Sequence, residues 1–116
     1  MDATLLDGLT KAMEEDKLYQ ESGLSIARLA ESLTMQEYQL RRLINNELDY
    51  RNFNQFLNHY RIEESCQRLD DSAQSQHSIA TIALDVGYSS LSSFNKAFKE
   101  IKGITPSLYR AGELAG

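Results

Sequence analysis

Tyr38, Arg41, Arg42 and Asn45 are spaced i, i+3, i+4 and i+7, and Ser92, Asn95, Lys96 and Lys99 repeat that spacing further along the chain. At roughly 100° per residue each set falls on one side of a helix. The opposite side carries Leu40, Leu43 and Ile44 in the first case and Phe94, Ala97, Phe98 and Ile101 in the second, with Leu91 on the border. Neither stripe contains a carboxylate, although the outer face of an ordinary surface helix mixes Glu with Lys. The residue types suit the edges of bases: Arg can donate two hydrogen bonds to guanine, Asn can pair with adenine, and Ser can do either. Ser90, Ser93 and Lys99 suit phosphate instead, because helix starts and mobile ammonium groups position a protein without reading sequence. The alternative is that both stripes are ordinary solvated faces.

Elements that could position such stripes are legible as an internal repeat. Ser25-Ile26-Ala27-Arg28-Leu29-Ala30-Glu31-Ser32-Leu33 and Ser78-Ile79-Ala80-Thr81-Ile82-Ala83-Leu84-Asp85-Val86 agree at Ser, Ile, Ala and Ala. In both copies the serine is placed to cap a helix, and the alanines leave room for another helix to pack closely. After a short turn the pattern resumes, pairing Leu40 with Phe94, Arg41 with Asn95, Arg42 with Lys96, Leu43 with Ala97 and Ile44 with Phe98, with one extra residue around Gly87. Each repeat therefore predicts a short capped helix, a tight turn and a second amphipathic helix, the layout of a helix-turn-helix. Two helical hairpins that merely pack together would give a similar pattern.

Apolar spacings of three and four recur almost throughout, and Pro106 is the single proline, so the expected fold is all-α. A first helix is expected from Thr4 to about Asp16, with Leu5, Leu6, Leu9 and Met13 on one face, followed by a loop through Glu21, Ser22 and Gly23. Between the repeats, Asn52 to Leu69 predicts a helix of ~27 Å at ~1.5 Å per residue, and the polar run Asp70 to Gln76 a loop.

Composition bounds the rest. With 116 residues, 41% hydrophobic and 25% charged, the chain has the balance of one folded domain. No apolar run approaches the ~20 residues of a membrane span, and Asp2 and Asp7 break the basic-then-apolar order of a signal peptide, so a cytoplasmic location is expected. The net charge of −5 argues against a nucleic-acid partner, whose binding proteins are usually basic. Residues 1–31 hold seven acids and three bases, a net of −4, which leaves −1 for residues 32–116. Distribution rather than the total decides whether a face can approach a polyanion. Cys66 is the only cysteine and reads as a small buried hydrophobe. His59 and His77 have no second ligand at metal spacing, so no metal is expected. The chain has no glycine-rich phosphate loop, no Cys–His pair in a nucleophile context and no HExxH-type site, so neither an enzyme nor a cofactor is expected. The rival function is a helical protein-interaction module.

Ile79, Ile82-Ala83, Gly87-Tyr88, Ser90, Ser92, Phe94, Lys96, Phe98-Lys99, Gly103, Thr105-Pro106 and Tyr109-Arg110 resemble the signature of the AraC/XylS family of bacterial transcription regulators. The first repeat matches more loosely through Leu24-Ser25, Leu29-Ala30, Leu40, Arg42-Leu43 and Glu47, and the central stretch through Phe56-Leu57, Arg61-Ile62 and Leu69. The resemblance implies about seven helices forming two homeodomain-like helix-turn-helix subdomains (5–51 and 70–112) joined by a linker helix (52–69). It implies double-stranded DNA as partner, with Tyr38, Arg41, Arg42, Ser92, Asn95 and Lys96 in the major groove; Asn45 joins them on helical spacing alone. Tyr88, Arg61, Tyr109 and Arg110 are expected to serve packing or an internal ion pair. Family behaviour further implies transcription regulation, most often activation, with RNA polymerase as a further partner and a sensing or dimerisation domain preceding a module of this kind. The chain departs from the pattern at Asp49, where the family has glycine, and at Gln36, where it often has a serine cap. Thr34-x-x-Glu37 offers a substitute capping box that would start the helix a turn early.

Overall fold

The computed structural model describes residues 3–112; Asp2, counted above among the N-terminal acids, lies outside them. The described residues form seven α-helices and no strand: α1 (Ala3–Glu14), α2 (Ile26–Ser32), α3 (Glu37–Arg42), α4 (Phe53–Asp70), α5 (Ile79–Asp85), α6 (Leu91–Lys102) and α7 (Pro106–Arg110). The fold is all-α, as the apolar spacing implies.

Local chemistry starts and stops these helices. Ser25 accepts from the Arg28 amide at 3.1 Å, Asn52 from Gln55 at 2.8 Å, Ser78 from Thr81 at 3.0 Å and Ser90 from Ser93 at 3.1 Å, so each cap satisfies an amide the helix cannot. Gly103, at φ +82°, ends α6, after which Thr105 caps α7 and Pro106 opens it. The expected Thr34–Glu37 capping box does not form. Thr34 sits in the turn at φ +54°, and α3 starts at Glu37 with the Gln36 amide donating to Gln39 Oε1 at 2.9 Å. At the far end, Asp49 takes the left-handed conformation at φ +62° that the family gives to glycine. Aspartate tolerates it better than most residues. The Tyr50 amide then donates to Ile44 O at 3.0 Å and closes the helix end.

Two cores are strung on α4. Leu9, Met13, Leu29, Leu40 and Ile44 close around Phe56 and Leu57 from the first half of that helix. Ile82, Val86, Phe94 and Phe98 close around Ile62, Cys66 and Leu69 from its second half. Fully burying such a side chain stabilises by about 1.5–3 kcal/mol, so α4 is long because each core needs half of it. In each repeat only the second alanine, Ala30 or Ala83, is buried; Ala27 and Ala80 face solvent, contrary to the expectation that both alanines admit a packing partner. Ile101, expected inside, is 44% exposed because α6 has by then run past its last packed turn at Phe98.

Candidate nucleic-acid interface

In both units the second helix is pinned by its apolar side and offers its polar side to solvent. Leu40 in α3, and Phe94, Ala97 and Phe98 in α6, are buried. On the outside of α6, Ser92, Asn95, Lys96 and Lys99 are all exposed and have no side-chain partner among the described residues. Ser90 and Ser93 are exposed too, but their hydroxyls are 2.9 Å apart in a hydrogen bond that belongs to the cap.

The outer face of α3 is less open. Tyr38 is 61% exposed, and Arg42 is exposed without a partner among the described residues. Arg41, however, donates to Glu37 Oε1 at 2.6 Å. The expectation of a carboxylate-free face therefore fails at Glu37, one turn before Arg41, where an i, i+4 pair is readable from spacing alone. Asn45 is half-buried beside Asp49, Tyr50, Arg51 and Gln55. Leu43–Glu47 is a π-helical stretch, with the Leu48 amide reaching Leu43 O at 2.9 Å. That wider turn breaks the 100° wheel on which Asn45 was placed, and leaves Asn46 exposed.

What holds the two outer faces relative to each other is a polar joint on α4. Arg61, 7% exposed, donates through Nε to Tyr19 O at 2.7 Å and through Nη2 to Glu21 O at 3.1 Å, and its guanidinium lies over the Tyr88 ring at 5.5 Å. Tyr88 donates its hydroxyl to Asn58 at 2.6 Å, and burial pushes its pKa up to about 12. One turn along α4, buried Glu64 accepts from Tyr19 at 2.6 Å, Gln20 at 2.7 Å and Arg68 Nε at 2.8 Å, while Arg68 also reaches Asp85 at 3.0 Å. Burial alone would raise the Glu64 pKa, but these three donors outweigh it and hold the carboxyl below its ordinary value. Tyr19 and Gln20 belong to the loop after α1, and Asp85 and Tyr88 to the second unit, so α4 is bolted to both sides. Sequence reasoning missed Glu64, although an acid in the middle of an apolar helix face with Arg four residues on was a signal. Tyr109 and Arg110 do the same for α7, through Tyr109 to Asp70 at 2.9 Å and Arg110 to His77 O at 2.6 Å. Neither Arg61 nor Arg110 forms an ion pair among the described residues; both bond backbone carbonyls. Cys66 is buried, and burial raises its thiol pKa. Among the described residues no group of three His, Cys, Asp or Glu side chains could hold a metal ion, and no helix is long and apolar enough to cross a membrane.

Two capped helix pairs, each exposing its second helix and both bolted to one central helix, define a tandem helix-turn-helix of the DNA-binding kind. Residues 29–112 match the family described as "Helix-turn-helix domain". The chain belongs to the AraC/XylS family of transcription regulators and corresponds to that family's C-terminal DNA-binding domain. It is 33% identical over 87 residues to the HTH-type transcriptional activator FapR of Escherichia coli, a match covering 75% of this chain and 32% of that protein. The chain thus spans about a third of that relative's length. It resembles the C-terminal domain of AraT, a response regulator from Geobacillus stearothermophilus, with a TM-score of 0.79 and 26% identity over 99% of this chain and 89% of the other. An AraC-type transcriptional regulator from Chromobacterium violaceum superposes with a TM-score of 0.74 at 25% identity, over 95% of each chain.

Proposed function

We propose that this chain binds specific sequences in double-stranded DNA through two reading helices, α3 and α6, set into successive major-groove segments of one duplex, and that it activates transcription. In this reading, residues 5–51 and 70–112 are the two reading units and 52–69 their connector. Tyr38, Arg41, Arg42 and Asn45 contact bases from the first unit and Ser92, Asn95 and Lys96 from the second, while Ser90, Ser93 and Lys99 contact phosphates. The observation that carries it is the exposed stripe Ser92, Asn95, Lys96 and Lys99, which has no side-chain partner among the described residues. Activation follows the named role of the Escherichia coli relative. The same proposal places the chain's work in the cytoplasm, with a separate sensing or dimerisation domain and RNA polymerase as further partners.

The test is selection from randomised duplexes with the wild type, Arg42→Ala and Lys99→Ala. Arg42→Ala is expected to lose ~1–3 kcal/mol at particular base pairs and to relax the motif there, whereas Lys99→Ala weakens every sequence alike and lowers the salt slope by about one. An unenriched pool with the wild type would remove the reading and favour the protein-interaction module.

A further inference from the structure

Between α4 and α6 runs a polar groove of about 390 Å³ lined by Arg61, Asn54, Asn58, Ser89, Lys96 and Glu100 among others. Arg61 is the unusual member. A buried charge is normally paired with its opposite, yet no carboxylate bonds this guanidinium among the described residues; Tyr19 O and Glu21 O take Nε and Nη2 only. Among the described residues no fully buried side-chain nitrogen or oxygen lacks a partner, so Nη1, which bonds none of them, keeps some access to solvent, and Arg61 lines the groove. Asn58 spends its Oδ1 on the Tyr88 hydroxyl and keeps its amide donors. Ser89 and Asn54 are exposed at the rim, and Lys96 stands on the outer face of α6. A fixed cation with amide and hydroxyl donors around it is built for an oxyanion.

We infer that this groove receives a backbone phosphate of the DNA segment between the two reading helices, making the connector helix a third, sequence-independent contact. The inference rests on the proposed reading of one duplex by both units, since only then does a strand cross this groove. Glu100, which also lines the groove, opposes the phosphate and limits the gain, which keeps the contact from trapping the protein on non-specific DNA.

The experiment leaves Arg61 alone, because it also holds the joint. Asn54→Glu puts a carboxylate on the rim in the first turn of α4, where a negative charge suits the helix, so the fold should persist and thermal melting checks it. With this variant the slope of log affinity against log salt is expected to fall by about 0.9, and affinity by roughly tenfold, with the selected motif unchanged. Glu100→Gln should raise affinity severalfold on all sequences. If Lys99→Ala lowers the slope while Asn54→Glu and Glu100→Gln leave affinity and slope unchanged, the groove contact is wrong and the reading helices stand. If the wild type has a flat slope, both fall. A second arm titrates inorganic phosphate into the DNA-free protein and follows the Ser89 amide by NMR. Saturation at low millimolar phosphate, with the DNA slope of Asn54→Glu unaltered, would assign the groove to a free anion and overturn the duplex as its source.

Discussion

Gly87→Ala tests whether the joint is as tight as it looks. Gly87 sits at φ +118°, and a Cβ built there would lie 2.5 Å from Tyr19 O and 2.6 Å from Arg61 Nε. Those two atoms are themselves hydrogen-bonded at 2.7 Å, so the methyl would be a wedge driven into that bond. Holding an L residue in so sparsely populated a conformation costs about 1–3 kcal/mol, and losing a hydrogen bond from a charged donor costs about 1.5–3 kcal/mol more. A loss of roughly 3–5 kcal/mol is expected, from a total that for domains of this kind is about 5–15 kcal/mol. Gly23→Ala is the internal control: its φ is +77°, but no atom of the described residues lies within 4 Å of the added Cβ, so only the backbone term remains. Urea unfolding followed by far-ultraviolet circular dichroism measures both, as the chain has no tryptophan to report. Equal losses in the two variants would refute the wedge, because the difference between them is the contact with Tyr19 and Arg61.

Glu64 titrates below its ordinary value, so its contribution is fully present above the unfolded carboxyl pKa of ~4.3 and is lost as pH falls through the lower folded value. Glu64→Gln should therefore cost ~1–3 kcal/mol at neutral pH and flatten the acid limb of stability against pH; a limb as steep as the wild type's would exonerate Glu64. Asp49→Gly relieves a left-handed backbone at φ +62° and should raise stability by ~0.5–1 kcal/mol in the same urea assay; a loss would mean that the aspartate side chain makes up for its strain. If α3 and α6 read one duplex, the two half-elements lie about 10 base pairs apart. Inserting about five base pairs should remove most specific affinity, and a full extra turn should not restore it, because α4 cannot stretch; gel-shift titration that tolerated either insertion would mean a loose connection or a single reading unit.

The architecture was legible because its signals are local. Serine caps, helix-period apolar residues and the repeated Ser-Ile-Ala pattern each act over a turn or two of chain, and every helix they implied is present. Errors gathered where geometry departs from the ideal helix or where partners come from far away in sequence. Asn45 is half-buried rather than open because spacing arithmetic assumes one pitch, while Leu43–Glu47 widens. The Thr34 box was wrong because nothing in a single sequence fixes the sign of φ at that turn. The joint was out of reach for a different reason: Tyr19 and Glu64 lie 45 positions apart, and Arg61 lies 42 and 40 positions from its carbonyl partners. Arg61 was expected to pack or pair, and its choice of carbonyls over a carboxylate depends on which loop α1 delivers to it.

An acidic chain can still approach a polyanion if its acids are committed elsewhere, and the ion pairs show how that is arranged. Lys11 pairs with Asp16, Arg28 with Glu21, Arg68 with Glu64 and Asp85, and Lys102 with Glu63, none of them on the outer faces of α3 or α6. Arg42, Lys96 and Lys99 on those helices have no acid partner among the described residues. Arg41 is the exception, held by Glu37 at 2.6 Å. An exposed pair of this kind is worth only about 0.3–0.5 kcal/mol, far less than the ~1–3 kcal/mol of discrimination from a bidentate contact with guanine. On the proposed reading, Arg41 would leave Glu37 readily for guanine, but the carboxylate left beside the duplex would oppose any phosphate or base that offers no donor. Glu37 would thus cost general affinity and sharpen preference, which makes Arg41 the residue whose loss should alter the motif more than the total binding.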